Sequence, residues 1–227
     1  SARRVADLDT GVCVMLVEPS AERTFVTAQG AERQITVQSL AASNPVPGDL
    51  VCVSGYSLVG RTRDPLVEWL DTLADGVVVV LDPGATFAGL AEPLRDRVLA
   101  RTDVWTGNAD EAAALTGVRG MREAAEVVAT LLAPDAVTIV RDGARGCAVR
   151  ESGRTTHCPG HPQRPVDTNG AGDTHTGVLL AERATGASWP EAAARANTAG
   201  AIKVTRRGPD TAPTRAEIDA FLAALSH

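Results

Sequence analysis

From residue 50 onward, short runs of β-branched residues alternate with longer stretches of helical periodicity, and this alternation limits the available folds more than any other feature. Strands are predicted over 50–53, 77–81, 103–105 and 137–141, with short strands surrounding 146–149 and 155–158. Helices are predicted over about 64–74, 87–100, 109–116, 121–132, 171–185, 189–204 and 214–225. The pattern calls for an α/β fold, a mostly parallel sheet flanked by helices, with ligands bound beyond the carboxyl ends of its strands. Ahead of it, the segments 12–17 and 24–28 flank the polar turn Glu18-Pro-Ser-Ala-Glu-Arg23 and predict a β-hairpin. Asn44-Pro-Val-Pro-Gly48 marks the best boundary between the hairpin and the main layer, and the chain is divided into residues 1–40 and 41–227.

Composition excludes several classes of function. The 227 residues are 44% apolar, as expected of a soluble globular protein. No apolar run approaches the roughly 18 residues of a membrane span, and residues 1–10 lack the apolar core of a secretory signal. A net charge of -6 with interspersed signs argues against a nucleic-acid partner, since Arg206-Arg207 and Arg141/Arg145 are too sparse for a basic patch. Cys13, Cys52, Cys147 and Cys158 show no metal-ligand spacing and read as reduced core thiols of a cytoplasmic protein. His157, His161, His175 and His227 likewise form no metal pattern.

The chemistry concentrates in Asp167-Thr-Asn-Gly-Ala-Gly-Asp173. Gly170, Ala171 and Gly172 have almost no side chain, so the amides of the turn and of the helix starting there can approach an anion closely. Asp173 falls in the first helical turn, where a carboxylate is stabilised as the anion and can accept a proton from a hydroxyl beside a phosphate. The combination points to phosphoryl transfer to an alcohol, although Gly-Ala-Gly-Asp by itself is also an ordinary helix start. Asn108-Ala-Asp-Glu111 places an amide and a carboxylate one turn apart, which suits magnesium with retained waters and equally suits a helix cap. Val140-Arg-Asp-Gly-Ala-Arg-Gly146 reads as a strand followed by a glycine-rich turn.

Residues 167–177 resemble the second signature of the ribokinase-like (PfkB) family of carbohydrate kinases, whose core reads Asp-Thr-x-Gly-Ala-Gly-Asp. The resemblance implies that Gly170, Ala171 and Gly172 form the anion hole for the transferred phosphoryl group and that Asp173 is the general base. Asn108 to Glu111 is similar to the family's Asn-x-x-Glu element, which implies that Asn108 and Glu111 organise Mg2+ around the phosphates of ATP. The 140–146 segment looks like the loop that packs along the nucleotide, bringing Asp142, Gly143 and Gly146 to it. Family members often carry Thr or Lys where this chain has Arg141 and Asp142. Residues 196–208 resemble the family's C-terminal helix and loop, so Asn197 and Gly208 would border the adenine. Asp167 would then face a monovalent-cation site, such as one for K+, or equally cap a turn.

The resemblance thus implies a ribokinase-like fold with a β-hairpin lid and an ATP-dependent kinase acting on a hydroxyl of a sugar or sugar-like acceptor. A nucleoside kinase and a non-catalytic nucleotide-binding protein remain the alternatives. Lid strands in this family often pair between subunits, which implies a homodimer. Two departures stand out. His175 occupies a position where the family commonly has an aromatic residue, and it is read as a packed, neutral histidine. The family's N-terminal Gly-Gly and Asn substrate motif does not occur in these residues, so two strand-helix units, roughly 60 residues, are expected to be missing. Either the sequence is part of a longer polypeptide, or a truncated protein protects its open sheet edge by association. Tyr56 is read either as facing the acceptor or as a packed strand-end aromatic.

Overall fold

The structure, a computed structural model, describes residues 5–17 and 23–225. The chain divides into two compact units, one of residues 1–46 and 57–75, the other of residues 47–56 and 76–227.

In the first unit, β1 (Val12–Val17) and β2 (Arg23–Ala28) pair antiparallel, with Val14 opposite Val26 and Met15 opposite Phe25. The predicted turn falls at 18–22, outside the described residues. Period-two alternation places Val12, Val14, Leu16 and Val26 on one face of the ribbon, and each is more than half exposed. A short helix that periodicity does not announce, α1 (Val37–Ala41), starts at a reciprocal cap between Thr36 and Ser39. It contacts α2 (Arg63–Leu70), which buries Leu66, Val67, Trp69 and Leu70. Helix α2 stops short of the predicted residue 74, because the amide and hydroxyl of Thr72 both bond the Trp69 carbonyl, at 2.9 and 2.7 Å, and close the last turn.

The second unit is built on a six-stranded sheet in the order β3 (Leu50–Ser54), β4 (Val78–Asp82), β5 (Val104–Asn108), β6 (Val137–Arg141), β7 (Cys147–Glu151) and β8 (Arg154–Cys158). The first four strands are parallel and the last two antiparallel. All five residues of β6 are buried, the pattern of a parallel strand covered on both faces. Strand β5 runs on beyond the predicted Trp105 to Asn108. Gly107 permits this, since a Cβ there would lie 2.4 Å from the Trp105 ring.

Helix α5 (Met121–Ala129) contacts β6, β7 and β8 through a face bearing buried Ala124, Ala125 and Val128. It ends before the predicted residue 132. The alternate residues Ile139, Cys147, Val149 and Cys158 form one cluster with Leu179 of α6 (Ala171–Ala184) and Trp189, Ala192, Ala193 and Ala196 of α7 (Trp189–Lys203). Alanines allow α7 to lie close to the strands. The expected helix over 87–100 is split into a 3-10 turn, Phe87–Gly89, and α3 (Glu92–Ala100). Pro93 sits in the first turn of α3, where its missing N–H costs nothing. Helices α4 (Ala109–Thr116) and α8 (Arg215–Leu225) complete the unit.

The expectation of four core thiols needs correction. Cys147 and Cys158 are buried and face each other across β7 and β8, whereas Cys13 and Cys52 are exposed. Both lie in apolar runs, but on strands with one neighbour each, so sequence polarity overstated their burial. No described helix is long and apolar enough to cross a membrane.

Candidate active site

Three adjacent parallel strands end in polar residues: β4 in Asp82, β5 in Asn108 and β6 in Arg141, the last two paired in register. Their carboxyl ends open into a cleft of about 440 Å3 within the second unit. Opposite them, Ala171, Gly172 and Asp173 of α6 line the same cleft.

The start of α6 depends on small residues. Gly170 caps the helix in the left-handed region at φ 75°, and a Cβ there would lie 2.9 Å from the Pro209 carbonyl oxygen. A Cβ on Gly172 would lie 3.1 Å from Arg141 Nη1. The Ala171 N–H donates to the Thr168 carbonyl at 3.2 Å, while the first-turn amides of Gly172 and Asp173 precede the carbonyls that a helix could offer them. Asp173 is exposed and lines the cleft beside Ala171 and Gly172.

Arg141 is the electrostatic hub. Its side chain is 10% exposed, and Nη1 donates to the Gly172 carbonyl at 2.9 Å and to Thr176 Oγ1 at 3.3 Å. Nη2 donates to Asp82 Oδ2 at 3.3 Å and to the Thr106 carbonyl at 3.4 Å, and lies 3.8 Å from Glu111 Oε2. Thr176 Oγ1 in turn donates to Asp82 Oδ2 at 2.9 Å. Asn108 and Glu111 form a reciprocal cap on α4: Asn108 Oδ1 accepts from the Glu111 N–H and Glu111 Oε2 from the Asn108 N–H, both at 2.8 Å. Burial raises the pKa of Glu111, and the Asn108 amide and Arg141 oppose that rise. Asp82 and Glu111 lie against the Arg141 guanidinium and Asp173 lines the same cleft, so the lining carries an excess of negative charge. No three His, Cys, Asp or Glu side chains among the described residues are grouped to hold a metal ion by themselves, but a magnesium ion that keeps its waters needs only one or two carboxylates.

His175 is buried, and its Nε2 lies 3.1 Å from Asn197 Oδ1. Asn197 Nδ2 donates to the carbonyls of Cys158 and Pro159, so its Oδ1 can only accept and His175 Nε2 must carry the proton. Nδ1 is buried without a partner. Burial pushes the His175 pKa down to about 3, helped by the Arg141 charge, and the ring is neutral as its sequence context suggested.

Of the residues singled out from sequence, Asn108, Glu111, Gly143, Gly146, Ala171, Gly172, Asp173 and Asn197 line the cleft. Gly170, Asp142, Asp167 and Gly208 are not among its lining residues. Asp142 pairs with Arg145 at 2.6 Å, and the Gly208 N–H donates to Asp167 Oδ2 at 3.0 Å. Tyr56 lines the cleft, half exposed, with its ring lying against Gly84. Sequence reasoning missed Asp82 and Thr176, and it treated Arg141 only as a departure. The one local signal for Asp82 was a charge ending an apolar strand just before Pro83-Gly84.

The chain is 35% identical over 219 residues to YegV, an uncharacterized sugar kinase of Escherichia coli K12, covering 94% of this chain and 67% of that protein. It is 31% identical to the ribokinase of Haemophilus influenzae, covering 94% of this chain and 69% of that one. It also superposes, with a TM-score of 0.79 at 25% identity, on the crystal structure of an E. coli ribokinase II in complex with ATP and Mg2+, covering 93% of this chain and 71% of that one. Residues 1–215 match the model of the pfkB family carbohydrate kinases, and the chain, with its ribokinase-like fold, belongs to that family.

Proposed function

We propose that this chain transfers the γ-phosphoryl group of ATP to a hydroxyl of a sugar or sugar-like acceptor, with Asp173 as the general base. The observation that carries the reading is the placement of Asp173, exposed to the cleft in the first turn of α6 beside Ala171 and Gly172. A cleft of about 440 Å3 falls within the range of small-molecule sites.

In this mechanism the acceptor hydroxyl approaches Asp173, whose carboxylate takes its proton as the oxygen attacks phosphorus. The turn from Gly170 to Gly172 is the anion hole, with the Gly172 and Asp173 amides and the positive end of α6 facing the charge on the transferred group while the Ala171 amide ties the turn to Thr168. Arg141 fixes that turn through the Gly172 carbonyl, so the geometry exists before substrate arrives. Asn108 and Glu111 would hold Mg2+, which when bound offsets charge on the nucleotide phosphates. Gly143 and Gly146 border the nucleotide together with Asn197, while Asp142 and Gly208 support this region from outside the cleft.

Asp173→Asn is expected to lower turnover by about 10²- to 10⁴-fold while leaving ATP affinity nearly unchanged. Steady-state kinetics and ATP titration decide it, and unaltered turnover would remove Asp173 from the role. A nucleoside acceptor is the second reading. It is favoured by Tyr56, whose ring lies against Gly84, lines the cleft and is half exposed, an aromatic surface on which a base could stack. Turnover across a panel of sugars and nucleosides separates the two.

A further inference from the structure

Asp167, the residue tied by family resemblance to a monovalent cation, is already held by groups of its own chain. Lys203, the last residue of α7, is completely buried and places Nζ 3.0 Å from the Asp167 carbonyl oxygen. The Asp167 carboxylate accepts from the Asn169 N–H at 2.9 Å and from the Gly208 N–H at 3.0 Å. The Val204 carbonyl accepts from the amides of Val166 and Asp167, at 2.7 and 3.1 Å. Residues 166–169 are thereby pinned to the end of α7, immediately before the anion-hole turn.

A wholly buried ammonium is retained only where oxygen acceptors and negative charge replace its water. The requirements of a potassium ion are the same: one positive charge of similar size, neutral oxygens around it and an anion nearby. The end of a helix, with its carbonyls and negative dipole, suits either. A second cation beside Lys203 Nζ would meet a like charge at close range inside the protein, where screening is weak. The residues present therefore do not fit an exchangeable ion.

We propose that Lys203 is a built-in replacement for the monovalent cation: its ammonium holds the Asp167 backbone and keeps the 167–170 segment in place without any dissolved ion. Lys203 is thus a positioning residue, acting on the anion hole through Asp167. The link to turnover rests on the kinase reading above, whereas the link to stability does not.

The test compares KCl, NH4Cl and tetramethylammonium chloride at equal ionic strength, reading the thermal unfolding midpoint, the ATP dissociation constant and turnover. The unaltered protein is expected to behave alike in all three salts. Lys203→Ala is expected to lose stability and to weaken ATP binding by about tenfold, a common size for coupling between two sites. K+ or NH4+, but not the bulky tetramethylammonium, should restore both. A K+-specific rise in stability or turnover of the unaltered protein would overturn the proposal, as would a folded Lys203→Ala variant indifferent to the cation. Should Lys203→Ala fail to fold, Lys203→Met keeps most of the buried stem and takes its place, and the salt response of the unaltered protein still decides. Absence of turnover on every acceptor, with the stability pattern as expected, would count against the kinase reading and leave Lys203 assigned.

Discussion

Arg141 is held inside the cleft because the two amino groups of its guanidinium meet several acceptors, Asp82, Glu111, Thr176 and the carbonyls of Gly172 and Thr106, while its Nε is buried without a partner. A Lys in place of Arg141 could not span these partners, since only the planar fork donates in several directions at once. His175, two residues beyond the proposed base, has a clear consequence for stability. Its pKa of about 3 in the folded protein lies below the ordinary value of 6.5, so the unfolded chain binds a proton that the folded one refuses. The stabilising contribution of the neutral ring is complete above pH 6.5 and is lost as pH falls toward 3, at about 1.4 kcal/mol per pH unit. Urea unfolding at pH 7 and pH 5 should show this loss, and His175→Phe should flatten the difference. That His175 is packed and neutral was readable from sequence. Its lock on Asn197 was not, because the two residues lie on different helices and meet only when α6 and α7 pack.

At the scale of elements, the decisive feature is where each one ends. Strands β5 and β6 stop in register and β4 ends two residues short of β5, so the long Arg141 side chain reaches back to Asp82, 59 positions away. Helix α6 begins opposite them at Gly170, whose left-handed backbone aims the first turn into the cleft. Gly170→Ala is expected to cost about 1–2 kcal/mol for the left-handed residue alone. The contact with the Pro209 carbonyl adds to that cost and forces the turn to shift. The urea midpoint should fall with an unchanged slope, and turnover should fall by more than ATP affinity. The glycine pattern that announces this turn was visible in the sequence, as was the reciprocal cap that starts α4. The use of Ala171 N–H by Thr168 was not, because a turn's internal hydrogen bonds depend on backbone angles that residue identity only restricts.

At the scale of the whole molecule, the hairpin predicts association. An isolated two-stranded ribbon is marginal in water, and Val12, Val14, Leu16 and Val26 leave an apolar face exposed. We expect the protein to be a homodimer through this face. Light scattering should give twice the mass of one chain, and Val14→Glu should return it to one. The sequence by itself determined the order of strands and helices, the parallel sheet and the small-residue turn with its following carboxylate, because periodicity and steric permission are local properties of neighbouring residues. It also marked Asn108, Glu111 and Asp173 as candidates, since each carries its signal within a few positions. Only the tertiary structure decided that Asp82, Thr176 and Arg141 form one network, that Asp142 turns to Arg145, and that Lys203 reaches Asp167. These pairings join residues up to 94 positions apart, and their energy depends on desolvation and distance, which exist only once the sheet and its helices have packed.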